Sequence, residues 1–490
     1  MSHAAETAKI RAKLSHPVID SDGHWIEFEP AVTDYLHQVG GDRIVERYSK
    51  VANQFGNKKW AQTPAEERRD KRMLQPGWWG VPTKNTRDRA TAMLPKLLHE
   101  RMEEIGLDFA VIYPTSGSLF APFLRDEEVR RAACRAFNMF TADQFKGLGD
   151  RLTPAAVVPM YTPQEAMEEL EFVVKTLGAK AVMLGSLPRR AVPAVAKSNP
   201  EASRYAVWHD TLGLDSAYDY DPVWAKCLEL GISPTFHSAS SGIGLRTSIS
   251  NFVYNHIGHF GQAGEAVCKA LLIGGVTRRF PQLKFGFLEG GVSWACSLYS
   301  DLIGHWKKRN PAALEETNPV NLDRELLVDL VHRYGSPSII GKLNQFEPGV
   351  GVLMERPEQL DDFGACGIFK ASDIRDLFVP NFYFGCEADD PMSSWAYKNK
   401  VNPYGAKLNT LFGSDIGHFD VPDMTEVLVE AYEGVDDGII TEADFRDFVF
   451  GNPVRFWTGT NPNFFKGTAI ESQVKKFMTE HETATAAAAL

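Results

Sequence analysis

Five short apolar runs in this 490-residue chain each end on a residue able to bind a metal, and this pattern constrains the fold more than any other feature. The runs are V18-I-D-S-D22-G-H24, I232-S-P-T-F-H237, L283-K-F-G-F-L-E289, N381-F-Y-F-G-C-E387 and T410-L-F-G-S-D415. Each begins as a buried strand begins and closes on Asp, His or Glu. A closed parallel barrel aims the C-terminal ends of all its strands at one face, so residues hundreds of positions apart converge there. Two His and several carboxylates at such a mouth suit a divalent metal.

Eight β-branched or aromatic runs are candidate strands: 18–23, 108–113, 153–159, 179–185, 231–237, 283–289, 381–386 and 409–415. Amphipathic stretches at 126–146, 164–177, 222–230, 262–280 and 292–308 lie between them. Strands alternating with helices predict βαβ units and a parallel sheet. Eight units predict an α/β fold of the (β/α)8, TIM-like type. An open doubly wound sheet would offer a glycine-rich phosphate loop, and S241-G-I-G-L-R lacks that spacing and setting.

One barrel domain is therefore expected over 1–467, with a C-terminal tail at 468–490. Long insertions at about 25–107, 187–222 and 310–380 are expected over the C-terminal face, where they shape the pocket. The segment T441-E-A-D-F-R-D-F-V-F-G-N-P-V-R-F-W opens with a capping-box spacing and predicts a terminal helix. No internal repeat is visible.

Composition narrows the function. With 44% apolar and 23% charged residues the chain reads as a soluble globular protein. A net charge of −11 argues against a nucleic-acid partner, which needs a basic face. No run approaches the ~20 apolar residues of a membrane span, and the N-terminus lacks a signal-peptide core. The six cysteines show no C-x-x-C spacing and read as buried free thiols in a reducing compartment, so the expected location is cytoplasmic.

Asp22 and His24, two apart on a strand, point to one face. Taken alone, D-x-H also fits a polar strand end, His237 a core histidine, and Asp415 a turn cap. Jointly, their common place at strand ends selects the metal reading. His256 and His259 follow the fifth run, where either a proton-shuttling role or a helix-surface position fits. His418, three past Asp415, is placed to orient a ligand or water. Arg189, Arg190 and Arg246 are candidate clamps for a substrate carboxylate, with surface arginines as the bland alternative. Trp78 is a candidate cover for an apolar ligand. Glu387 ends its run, but E387-A-D-D also reads as a solvated turn. Lys180 begins its strand, far from the mouth, which excludes it as a bridging modified lysine.

The chain resembles the amidohydrolase superfamily, specifically the amidohydrolase-2 group that includes ACMS decarboxylase-like proteins. The resemblance runs from about 16 to 458, through V18-I-D-S-D-G-H, D221-P-V-W-A, G275-V-T-R-R-F-P-Q-L-K-F-G-F-L-E-G-G-V-S-W, L411-F-G-S-D-I-G-H and G451-N-P-V-R-F-W. It implies Asp22 and His24 as first-strand metal ligands, His237 as the fifth-strand ligand and Asp415 on the eighth strand. Decarboxylating relatives carry a carbon-protonating His on strand six. Here Glu289 stands in its place, suited to ligating metal or acting as a general base.

The sequence thus favours a metal-dependent hydrolase. A metal-activated water would attack an amide, ester, thioester or activated C–C bond of a sizeable, partly apolar small molecule. Asp415 and Glu289, with His256 or His259, are the expected catalytic groups. The expected metal ligands are Asp22, His24, His237, Glu289 and Asp415, holding one or two ions of zinc, manganese or iron. A non-oxidative decarboxylase on the same site is the first rival and a non-catalytic ligand-binding barrel the second. Relatives suggest a homo-oligomer.

Overall fold

A computed structural model describes residues 3–52, 57–77, 84–237, 239–345 and 360–488. The chain divides into two compact units, the first Met1–Leu298 with Leu377–Leu490, the second Tyr299–Asp376.

The first unit holds eight parallel strands: β1 (Ile19–Trp25), β2 (Phe109–Pro114), β3 (Leu152–Val158), β4 (Ala181–Leu184), β7 (Pro234–Phe236), β8 (Phe285–Phe287), β9 (Phe382–Glu387) and β10 (Asn409–Gly413). They pair in chain order, and all eight expected strands form. A separate antiparallel hairpin, β5 (Arg189–Ala191) with β6 (Val207–His209), occupies the insertion after β4. The helices Glu127–Gln144, Pro163–Lys175, Asp221–Leu230 and His259–Ile273 lie between barrel strands, where the amphipathic stretches predicted them. This is a (β/α)8 barrel.

Period-two alternation sorts the strand side chains into two layers. Phe285, Phe287, Phe382 and Phe384 form a continuous aromatic layer that reaches Trp224 and Trp294 on neighbouring helices. Their alternates point inward. There Thr235 Oγ1 donates to the Val182 carbonyl at 2.8 Å and meets the Tyr113 hydroxyl at 3.1 Å. Phe456, from the helix Asn452–Thr458, fills the barrel interior beside Tyr383. A Cβ at position 286 would sit 2.9 Å from that ring, so Gly286 is required by packing. The Thr441 capping box forms with Asp444, and a π-turn at Asp447–Gly451 leads into the Asn452–Thr458 helix. Among the described residues no helix is long and apolar enough to cross a membrane.

The barrel closes between β1 and the residues just past β10. Asp415 N–H donates to the Asp22 carbonyl at 3.0 Å, and His24 N–H donates to the Ile416 carbonyl at 2.8 Å. Asp20 reinforces this closure from a buried position. It accepts the backbone N–H groups of Asp22 (3.1 Å) and Ser414 (3.0 Å) and the Ser414 hydroxyl (2.5 Å). Strict alternation would set Asp20 beside Asp22 and His24. A register shift between Asp20 and Gly23 turns it to the closure instead.

Removing the Asp20 carboxylate strands three donors that burial cuts off from water. Asp20→Ala should therefore cost about 3 kcal/mol, and Ser414→Ala about 1 kcal/mol. Urea unfolding of the two variants and their double mutant should show a combined loss smaller than the sum by up to the roughly 1 kcal/mol of the one bond they share, between the Ser414 hydroxyl and Asp20.

Candidate metal centre

Each side chain of the site enters at a strand's C-terminal end. Asp22 and His24 lie in β1, His237 follows β7 by one residue, and Glu289 and Asp415 follow β8 and β10 by two. Two of these positions are strained. Glu289 (φ 55°) and Asp415 (φ 50°) adopt the left-handed backbone that L residues avoid. The sharp turn at Glu289 has room because residue 385 of the next strand is glycine. A Cβ there would stand 2.9 Å from Leu288 Cα and 3.1 Å from Glu289 N.

The five side chains meet. His24 Nε2 and His237 Nε2 lie 3.1 Å apart. Glu289 Oε2 is 2.8 Å from His237 Nε2 and 4.0 Å from His24 Nε2. Asp22 Oδ1 lies 3.4 Å from His24 Nε2 and 3.7 Å from His237 Nε2. Asp415 Oδ1 is 3.5 Å from His24 Nε2 and 2.6 Å from His418 Nδ1. Two overlapping sets have all ligand atoms within 4.8 Å of one another: Asp22, His24, His237 and Glu289, and His24, Glu289, Asp415 and His418. Both sets use His24 and Glu289, which makes this one compact nest.

The nest fits a cation on its own chemistry. Asp22 Oδ1 is buried and accepts no hydrogen bond, an arrangement that costs free energy unless something positive meets it. Burial pushes the carboxyls of Asp22, Glu289 and Asp415 well above their ordinary range, and nearby carboxylates add to the effect on each. Burial likewise holds His24 well below its ordinary value, with His418 and His237 contributing. His418 is pushed down to about 3, again chiefly by burial. The side chains thus favour neutral forms until a cation supplies the missing charge.

Two residues widen the acidic surroundings. Glu387 ends β9 half-open to the mouth, and burial together with Glu289 pushes it up to about 8. Asp420 lies close enough to help raise the Asp415 carboxyl. Asp420 escaped the sequence reading although it stands two residues past His418 in H-F-D.

Aromatic rings wall the nest. Phe260 meets His237 edge-on at 5.1 Å, and Tyr113 lies 6.1 Å from both His24 and His237. His259 is buried against Phe260 at 4.0 Å and against His256 at 4.4 Å, and neither of its ring nitrogens has a hydrogen-bond partner. Burial pushes it down to about 3. His256 also faces Phe252 and Phe419.

The arginines lie apart from these donors. Arg190 forms an ion pair with Asp210 at 3.0 Å and also donates to the Tyr161 carbonyl and the Tyr220 hydroxyl. Arg189 sits exposed on the β5–β6 hairpin. Arg246 donates to Gln262 Oε1 (2.6 Å) and to the carbonyls of Ile257 and Gly258, bracing the loop that carries His256 and His259. Lys180 donates to the Phe464 carbonyl and contributes nothing to the nest. Trp78 lies outside the described residues.

Residues 100–323 match the amidohydrolase family model. Among curated proteins none matches the chain in sequence. Of solved structures, an amidohydrolase from Mycobacterium avium subsp. paratuberculosis K-10 is 18% identical, with 91% of this chain and 100% of that chain covered and a TM-score of 0.51. A dihydroxybenzoic acid decarboxylase from Polaromonas sp. JS666, with bound manganese and the inhibitor 2-nitroresorcinol, is 16% identical over 90% and 97% of the chains, with a TM-score of 0.47. A 2,6-dihydroxybenzoate decarboxylase from Rhizobium is 14% identical over 90% and 99%, with a TM-score of 0.46. At these identities the likeness is one of fold. The resemblance read from the sequence is borne out to this extent: the amidohydrolase family model matches residues 100–323, and the chain folds as a (β/α)8 barrel.

Proposed function

We propose that the chain is a metal-dependent enzyme that removes a carboxyl group from a small, partly apolar carboxylate without oxidation. The observation that carries this reading is how dry the site is. Asp22, His24, His237 and Asp415 are each no more than 4% exposed, beneath a wall of Tyr113, His259 and Phe260. Loss of carbon dioxide moves a localised carboxylate charge onto the substrate's carbon framework, where it disperses until the carbon is protonated, a change that apolar, water-poor surroundings favour. Hydrolysis instead needs water admitted and a base free to accept its proton. Asp415, the expected base, is itself only 4% exposed.

Asp22, His24, His237 and Asp415 are proposed to hold one divalent ion, with Glu289 beside it; zinc, manganese and iron all suit these N and O donors. Bound there, the ion would supply Lewis acidity that stabilises the negative charge developing beside the breaking bond. The C–C bond breaks, its electron pair stays on the substrate carbon, and carbon dioxide departs. Glu289, protonated in its buried position, delivers a proton to that carbon. Phe260 and His259 exclude water from the carbon that is protonated.

The sequence alone favoured hydrolysis, and one contact keeps that as the second reading. Asp415 and His418 form a carboxylate–imidazole pair that suits proton transfer from a water.

Products separate the two. Hydroxybenzoates offered to the metal-loaded protein should release carbon dioxide, whereas matching esters and amides should stay intact. Cleavage of the esters or amides without carbon dioxide release would establish hydrolysis instead. Glu289→Gln should keep its metal and lose turnover by about 100-fold or more, as removal of a proton donor does.

Metal analysis tests the ligand set independently of activity. The native chain should carry one ion, and His237→Ala and Asp22→Asn should each lose most of it. Two ions per native chain, or full retention by His237→Ala, would remove the single-ion centre.

A further inference from the structure

The second unit, Tyr299–Asp376, contains an 11-residue helix, Arg324–Tyr334, opened by the Asp323 side chain accepting the Leu326 N–H at 2.8 Å. Leu326, Leu330 and Tyr334 recur every four residues with Leu327 and Val331 beside them, so the apolar side chains form one stripe. Such a stripe ordinarily packs inward. Here no residue of the helix is buried, and Leu326, Leu330 and Tyr334 are 50%, 37% and 79% exposed. Val320 and Ile339, in the segments before and after it, are exposed as well. A helix this short is marginal in water by itself, which makes covering the stripe worth more. Exposed apolar side chains clustered in this way mark an interaction surface.

We propose that this stripe is a self-association surface, on which a second copy of the chain lays the same helix antiparallel across a two-fold axis near Leu330. The helix is complementary to itself in that arrangement. Leu330 is the midpoint of the stripe, so a two-fold axis there sets Leu326 of each copy against the Tyr334 end of the other. Charge favours the same direction. The first half carries Asp323, Glu325 and Asp329 against a single Arg324, and the last turn carries His332 and Arg333. Antiparallel pairing lays Arg333 of each copy over the acidic half of the other and opposes the two helix dipoles. Parallel pairing would stack like ends. Within one copy Arg333 reaches Asp329 one turn back, an exposed pair that rearranges at little cost.

Sedimentation of the full chain across a concentration series tests this. The native protein should be a dimer, and Leu330→Asp should raise its dissociation constant by about tenfold or more. Arg333→Glu should weaken the dimer. Combining it with Glu325→Arg and Asp329→Arg should restore the dimer, a rescue that a misfolded helix would not give. A monomeric native chain overturns the proposal. A dimer indifferent to Leu330→Asp overturns it equally, because another surface then joins the two copies.

Discussion

Two backbone hydrogen bonds join the first strand to the last turn of the barrel, and the position of every donor in the metal nest depends on them. Asp415 N–H reaches the Asp22 carbonyl, and His24 N–H reaches the Ile416 carbonyl. The bonded residues are themselves members of the nest or their neighbours. Closing the barrel and assembling the site are therefore one event. Residues almost 400 positions apart come within hydrogen-bond distance only when all eight strands are in register. Asp20 sits beneath this junction with no role in the nest of its own. It holds both strand ends through three bonds, and it fixes where Asp22 stands.

What the closure assembles is electrostatically uncomfortable. Asp22, Glu289 and Asp415 crowd around two imidazoles, with Glu387 and Asp420 close enough to raise their neighbours' affinity for protons. Buried unpaired charges cost several kcal/mol each. The chain avoids that cost by keeping these groups neutral, or by accepting a cation that all of them face. The left-handed turns at Glu289 and Asp415 add of order 1–3 kcal/mol of strain each. Neither turn would persist without the closure bonds and the space left by Gly385.

The eight strands and the convergence of five side chains at their ends were legible in the sequence because buried strand runs ending on Asp, His or Glu combine two independent signals. Period and chemistry agree there. What escaped were features that depend on departures from the regular period. Asp20 shares its parity with Asp22 and His24, so alternation places it in the nest, and only the register shift sends it to the closure. Arg190 read as a substrate clamp. Its partner Asp210 lies 20 residues on, across a hairpin that no local pattern announces. The aromatic wall was equally hidden, because Phe260 and Tyr113 look like ordinary core residues until the barrel turns them toward His237.

The wall also bears on which chemistry the nest performs. A Lewis acid held by two histidines and carboxylates serves hydrolysis and decarboxylation alike, so the donors by themselves do not choose. The proposal rests on the surroundings instead. Water that attacks a carbonyl must be held, oriented and deprotonated, which calls for polar groups with free lone pairs around the open side of the nest. The described residues offer there Phe260, Tyr113 and His259, whose nitrogens have no partner, with Glu387 as the half-buried carboxyl at the rim. A substrate that brings its own carboxylate to the cation and leaves its apolar body against those rings satisfies the site without added water. Under the proposed decarboxylation Glu289, placed 2.8 Å from His237 where the chain turns sharply, is the proton donor.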